Sequence, residues 1–185
     1  PSWVPSALCF CGRSSMILSI RSNSLLLPCH ESAPETGGNV LWMQNSPSAA
    51  EHISQYYTAL TNGVSGFIGF ANIPPSPEAR ATIKKISNEF KVLLPMLYSG
   101  TPADVRVSGN VSFIARENNG IITIAAVNSS EKPVKAEFIL PGNIQDCSVM
   151  FENQENKNNH VVNGSRIHIN FNKLERKVFN IRIEK

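Results

Sequence analysis

Between Leu41 and Leu97 the chain reads LWMQ, then SPSAAEHISQYYTALTNG, then VSGFIGF, then PPSPEARATIKKISNEFKVLLPML. The order is strand, helix, strand, helix, so this block predicts part of a parallel α/β structure whose remainder is missing from the 185 residues. Val40 to Gln44 is a short buried-strand candidate. Ser46 and Pro47 mark a helix start, because proline fits the first helical position, and Ser48 with Glu51 offers an alternative capping box. Ala49, Ile53, Tyr56, Tyr57 and Leu60 then recur at helical spacing, and Gly63 supplies the stop. Val64 to Phe70 reads as a buried, central parallel strand, with Gly66 and Gly69 permitting close backbone approach. Ser76 and Pro77 open a second helix whose buried stripe is Ala79, Ile83, Ile86, Phe90, Leu93 and Leu97, and Pro95 is expected to bend or end it.

From Val105 the period changes to two. Alternating sets at Val111 to Ala115, Ile122 to Ala126, Val134 to Leu140, Ile167 to Phe171 and Phe179 to Ile183, with Cys147 to Phe151 as another strand, are separated by turn-formers such as Asn118 to Gly120 and Asn163 with Gly164. About seven strands fit, as in an antiparallel sandwich. The expected fold class is therefore an α/β fragment followed by an all-β antiparallel sandwich. Its expected parts are a poorly patterned segment 1–38, an α/β piece 39–100 and a sandwich 104–185. Within segment 1–38, Met16 to Ile20 and Leu25 to Leu27 are apolar runs of strand length.

The pattern W-x-Q, S-P-S-x-x-E, Q-Y-Y-T-A-L-T-N-G-V-S-G-F-I-G-F, then a proline-rich turn and a helix ending L-L-P-M-L, resembles the last units of (β/α)8-barrel glycoside hydrolases of the β-galactosidase-like and related families. The resemblance implies that Val40 to Gln44 is the penultimate barrel strand and Val64 to Phe70 the last, with a β-sandwich after the barrel. Residues at the C-terminal ends of barrel strands face the active site, so Trp42, Gln44, Phe70 and Asn72 become the sugar-binding candidates. Trp42 would stack on a pyranose, and Gln44 or Asn72 would hydrogen-bond hydroxyls. A glycosidase needs two carboxyl groups, roughly 5–9 Å apart, and the strands that usually bear them would lie upstream. Glu31 and Glu35, the only acids before Trp42, sit in a loop with no strand to aim them, so no catalytic residue is assigned. Glu51 and Glu78 are read as helix N-terminal carboxylates.

The implied function is the C-terminal portion of a glycoside hydrolase acting on oligo- or polysaccharide, without activity alone, its sandwich structural. The alternative is a non-catalytic carbohydrate-binding or adhesion module, which the alternation of Phe113, Phe138, Phe171 and Phe179 with polar residues disfavours. No nucleophile elbow, phosphate loop or dinucleotide fingerprint is present, and no cofactor is expected. Cys9, Cys11, Cys29 and Cys147 lack CxxC spacing, and Cys29 beside His30 has no second ligand pair, so neither a metal site nor a disulfide framework is expected.

The net charge of +3 is scattered without a basic stripe, which argues against nucleic acid as a partner. Met16 to Leu27 is interrupted by Arg21 and Asn23 and is too short to span a bilayer, so neither a membrane nor a targeting segment is read. Asn110, Asn128 and Asn163 each begin an N-x-Ser sequon, which suits a secreted eukaryotic chain. The full-length protein is expected to be extracellular or periplasmic. Carbohydrate is the expected partner of a completed barrel, and the open parallel-sheet edge predicts self-association.

Overall fold

The computed structural model describes residues 7–10, 47–64, 66–69, 76–152 and 160–184. Among these residues it is mostly antiparallel sheet, with two helices. Helix α1 spans Ala49–Thr61 and helix α2 spans Pro77–Ser99. The cap of α1 is Ser48, not Ser46: its hydroxyl accepts from the Glu51 backbone N–H, while the Glu51 carboxylate accepts from the Ser48 N–H at 2.6 Å. That backbone hydrogen bond from Ser48 holds the Glu51 carboxyl below its ordinary pKa. Tyr57 and Leu60 are buried, Ile53 and Tyr56 half-buried and Ala49 exposed. Gly63 leaves the helix at φ +84°, the left-handed conformation that a glycine adopts without cost.

Helix α2 differs from its sequence reading in two respects. The buried stripe runs through Ala79, Thr82, Ile86, Glu89, Phe90, Leu93 and Leu97, so Ile83 is displaced to the surface and two polar residues face inward. Thr82 is satisfied locally, donating to the Glu78 carbonyl at 2.8 Å. The helix also continues past Pro95 to Ser99, so of the two expected outcomes, a bend or an end, it does not end there. Proline removes one backbone donor, but Leu93 and Leu97 are almost wholly buried on either side of it. Their packing, about 1.5–3 kcal/mol for each side chain, holds the last turn in place.

Strands β1 (Ala7–Phe10) and β2 (Gly66–Gly69) pair in parallel, with Ala7 opposite Gly66 and Phe10 opposite Gly69. The expected strand at Val64 to Phe70 thus forms over Gly66–Gly69. Its partner comes from the segment to which no fold was assigned, and among the described residues it has that one neighbour only. Val40 to Gln44 and the apolar runs within 16–27 lie outside the described residues.

Among the described residues nine further strands form two antiparallel sheets. Strands β4 (Arg106–Ser108), β7 (Val134–Ile139), β10 (Arg166–Phe171) and β9 (His160–Asn163) make one, in the order 4-7-10-9. Strands β3 (Thr101–Pro102), β5 (Ser112–Asn118), β6 (Ile121–Val127), β11 (Arg176–Ile183) and β8 (Ile144–Met150) make the other, in the order 3-5-6-11-8. Strands β3, β4 and β9 have no counterpart among the expected sets; β3 and β4, at two and three residues, are too short to carry a period. The hairpin between β5 and β6 turns through Asn119 at φ +51° and Gly120 at φ +79°, as an Asn-Gly pair favours.

The two sheets share a core in which Ile122, Ile124 and Ala126 of β6 and Phe179 and Ile181 of β11 meet Ala136, Phe138, Ile167, Ile169 and Phe171. Strand β6 is unusual for an antiparallel strand in reading IITIAAV without alternation. Both of its faces are buried: Ala125 and Val127, with Val178, turn away from the shared core and pack against Tyr57, Leu60, Ile86, Phe90, Leu93 and Leu97 of the helices. A continuous apolar run is the signature of a strand covered on both sides, and here the helices cover it.

Where β4 enters the turn before β5, Gly109 sits at φ +111°, and a β-carbon there would lie 2.6 Å from the Lys135 carbonyl oxygen and 3.0 Å from the Ala136 Cα. Gly109→Ala is therefore expected to cost about 1–3 kcal/mol through backbone strain, with further loss as β4 is pushed off β7. Urea titration measures it, and a change within about 0.5 kcal/mol would contradict the close approach.

Candidate functional site

Trp42, Gln44, Phe70 and Asn72, the sugar-binding candidates, lie outside the described residues, as do Glu31 and Glu35. What the described residues do bring together is a buried polar cluster where the helices meet the five-stranded sheet. Glu89 enters from α2, Tyr57 from α1 and Arg176 from the start of β11. One oxygen of Glu89 accepts from the Tyr57 hydroxyl at 2.7 Å, and the other accepts from Arg176 Nη2 at 2.6 Å. Arg176 also donates to the Phe151 carbonyl at 3.2 Å, lies 3.7 Å from a Glu152 oxygen, and sets its guanidinium 5.6 Å from the Tyr57 ring centre. Lys177, fully buried, extends the cluster, with Nζ 3.5 Å from Glu152 and 3.2 Å from Glu175.

The local sequence explains this placement. Residues 82, 86, 89, 93 and 97 fall on one helical face, which turns Glu89 into the sheet. Alternation along β11 puts Arg176 on the same face as Val178, toward the helices, and Lys177 on the side of Phe179. Sequence reasoning passes over both Glu89 and Arg176. The available signal is a carboxylate inside an apolar stripe, which must have a cationic partner because an unpaired buried charge is too costly.

Two buried carboxylates, Glu89 and Glu152, invite comparison with a glycosidase pair, but their surroundings do not suit bond cleavage. Arg176 lies between them and both Glu89 oxygens are engaged, so Glu89 is neither a free nucleophile nor a proton donor. Glu152 is held by Arg176 and Lys177 through Oε1, and its buried Oε2 has no hydrogen-bond partner among the described residues. Burial pushes the Tyr57 phenol far above its ordinary pKa, which keeps it a protonated donor to Glu89. The adjoining recess, about 470 Å³ and open to solvent, is lined by Ala81, Lys84, Lys85, Asn88, Glu89 and Phe151. The cluster's chemistry is that of a clamp: it fixes both helices to the sheet by charge-assisted hydrogen bonds.

Among the described residues no three His, Cys, Asp or Glu side chains converge as a metal site. Cys147 on β8 is a free thiol, and burial, with a smaller contribution from Asp146, pushes its pKa up to about 11. Its thiolate fraction at pH 8 is correspondingly small, so under native conditions it is expected to react with a thiol-specific disulfide reagent far more slowly than after denaturation. Equal rates in the two states would contradict this burial.

The outer face of the four-stranded sheet carries Arg106, Lys135, Glu137, Arg166, His168 and Asn170, with Arg166 Nη1 2.8 Å from Glu137. Among the described residues it presents no Phe, Tyr or Trp for a sugar ring to stack on. Phe138, Phe171 and Phe179 are in the shared core, and half-buried Phe113 packs edge-on against Phe138 with ring centres 5.7 Å apart.

No protein-family profile matches the chain, and no curated protein matches it by sequence. Solved structures do resemble it. The alpha-amylase from Geobacillus thermoleovorans, solved with acarbose, is 14% identical with a TM-score of 0.55, and the match covers 79% of this chain and 36% of that one. An Anoxybacillus alpha-amylase is 13% identical with a TM-score of 0.50, covering 79% of this chain and 35% of that one. At such identities the likeness concerns the fold alone, and the chain has the fold of a part, little more than a third in length, of these glycoside hydrolases.

Proposed function

We propose that the chain is the C-terminal portion of a glycoside hydrolase acting on oligo- or polysaccharide, in which residues 39–100 are the last units of a (β/α)8 barrel and residues 104–185 a structural β-sandwich. The observation that carries this reading is the covered outer face of the five-stranded sheet. Ala125, Val127 and Val178 are buried under α1 and α2, and Arg176 is locked to Glu89, so that sheet serves as a platform for the helices. A working carbohydrate-binding module would leave a sheet face open and furnish it with aromatic rings.

In the completed barrel Trp42, Gln44, Phe70 and Asn72 contact the sugar, and upstream strands supply the catalytic carboxylates. Export to an extracellular or periplasmic space agrees with such a substrate. Among the described residues the parallel pair β1–β2 leaves edges that a completed barrel would close, and through them the chain alone self-associates.

The test is hydrolysis and calorimetry on this chain. Neither turnover of a panel of aryl glycosides and oligosaccharides nor heat on titrating neutral oligosaccharides is expected. Turnover abolished by Glu31→Gln or Glu35→Gln would overturn the absence of activity, and saturable heat that survives Trp42→Ala would make the sandwich a binding module.

A further inference from the structure

The three N-x-Ser sequons occupy different environments. Asn128 is fully buried. Its Nδ2 donates to the carbonyls of Lys132 and Asn172, both at 2.8 Å, and its Oδ1 accepts from the Ser130 N–H and hydroxyl at 3.0 and 2.8 Å. That motif is accounted for by folding, because it ties the turn after β6 to the turn after β10. Asn110 and Asn163 are exposed, and neither side chain makes a hydrogen bond among the described residues.

Their positions share a physical property. Asn163 closes β9 and Asn110 lies two residues beyond β4, and these are the two edge strands of the four-stranded sheet. Strand β9 is the more vulnerable edge. It reads HVVN, with Val161 and Val162 64% and 39% exposed, and among the described residues it pairs on one side only, with β10. An edge with unpaired backbone groups and apolar side chains is a template for pairing with another chain. Neither helix lies over this sheet; both pack on the other one.

We propose that Asn163 is an N-linked glycosylation site whose glycan shields the Val161–Val162 edge, that Asn110 is a second such site at the β4 edge, and that Asn128 stays unmodified. The donor class is a lipid pyrophosphate-linked oligosaccharide. The amide nitrogen attacks the anomeric carbon, the new C–N bond replaces the C–O bond to pyrophosphate, the lipid pyrophosphate leaves, and the amide proton passes to the transferase's base. Gly164, at φ +58°, opens the two-residue turn between β9 and β10, and Asn163 just before it is exposed. The inference rests on the export proposed above, so the experiment supplies export directly.

The chain is translated with a cleavable secretory leader in the presence of microsomes, which reads occupancy without requiring secretion, and is also secreted from insect cells for biophysics. Peptide mapping, with isotope-marked conversion of glycosylated Asn to Asp, is expected to show occupancy at Asn163 and Asn110 and none at Asn128. Enzymatic removal of the glycans from the folded protein is expected to increase self-association in sedimentation velocity, and Val161→Lys with Val162→Lys to abolish that increase. An unmodified Asn163 in the translocated chain, or a glycan on Asn128, overturns the site assignment. Sedimentation unchanged by deglycosylation overturns the shielding, as does an increase that persists in the Val161→Lys, Val162→Lys variant, since it would trace to another edge such as β1–β2.

Discussion

Replacing Arg176 by Met is expected to lower unfolding free energy by about 3–5 kcal/mol, the usual consequence of removing one partner from a buried ion pair. Glu89 and Arg176 are each only 7% exposed, so the orphaned carboxylate cannot recover its hydration without opening the helix–sheet contact. Glu152 would keep Lys177 at 3.5 Å, whereas Glu89 would keep only the Tyr57 hydroxyl. Against a total stability of about 5–15 kcal/mol for a typical domain, such a loss is a large share. The double variant Glu89→Leu, Arg176→Met should recover most of it, because two apolar groups of similar size remove both desolvation costs. Adding Tyr57→Phe should recover the roughly 1–3 kcal/mol that the unpaired hydroxyl then costs. Urea titrations of the three variants give the comparison, and a single variant within about 1 kcal/mol of the parent would show that the cluster is not a clamp.

Phe138→Ala is expected to cost a similar amount, about 3–5 kcal/mol, for a different reason. Phe138 is fully buried between the sheets and meets Phe113 edge-to-face, so truncation leaves a cavity that two hydrogen-bonded sheets cannot collapse to fill. The two variants should also differ in kind. Loss of Arg176 loosens the helices and should speed hydrogen exchange in α1 and α2 first, whereas loss of Phe138 weakens β7 and β10. Calorimetry and residue-resolved exchange check both. A Phe138→Ala loss below about 1.5 kcal/mol would mean that the sheets are less closely packed than the shared core implies.

Much of the fold is legible in the chain because the signals are local. Ser48 with Glu51, Ser76 with Pro77 and Gly63 carry the chemistry that starts or stops a helix, and Asn119 with Gly120 carries the chemistry of a tight hairpin. Period-two runs such as Val134 to Leu140 place side chains on two faces of a strand by backbone geometry alone. The sugar-binding candidates rest on resemblance, and all four lie outside the described residues. The clamp was not legible, because its members stand 32 and 87 residues apart along the chain and no local rule relates them.

By itself the sequence determined the two helices and the longer strands, since caps, turn residues and hydrophobic period act over a few residues, whereas β1, β3, β4 and β9 carry no such local signal. Only the tertiary structure decided what those segments cover. Ile83 yields its inward place to Thr82 and Glu89, Pro95 stays within a helix, and β6 is buried on both faces. One of three identical sequon patterns becomes a buried tie while two remain open at sheet edges. In each case the outcome depends on which distant surface arrives to exclude water, and burial is a property of the assembled layers that no window of the chain contains.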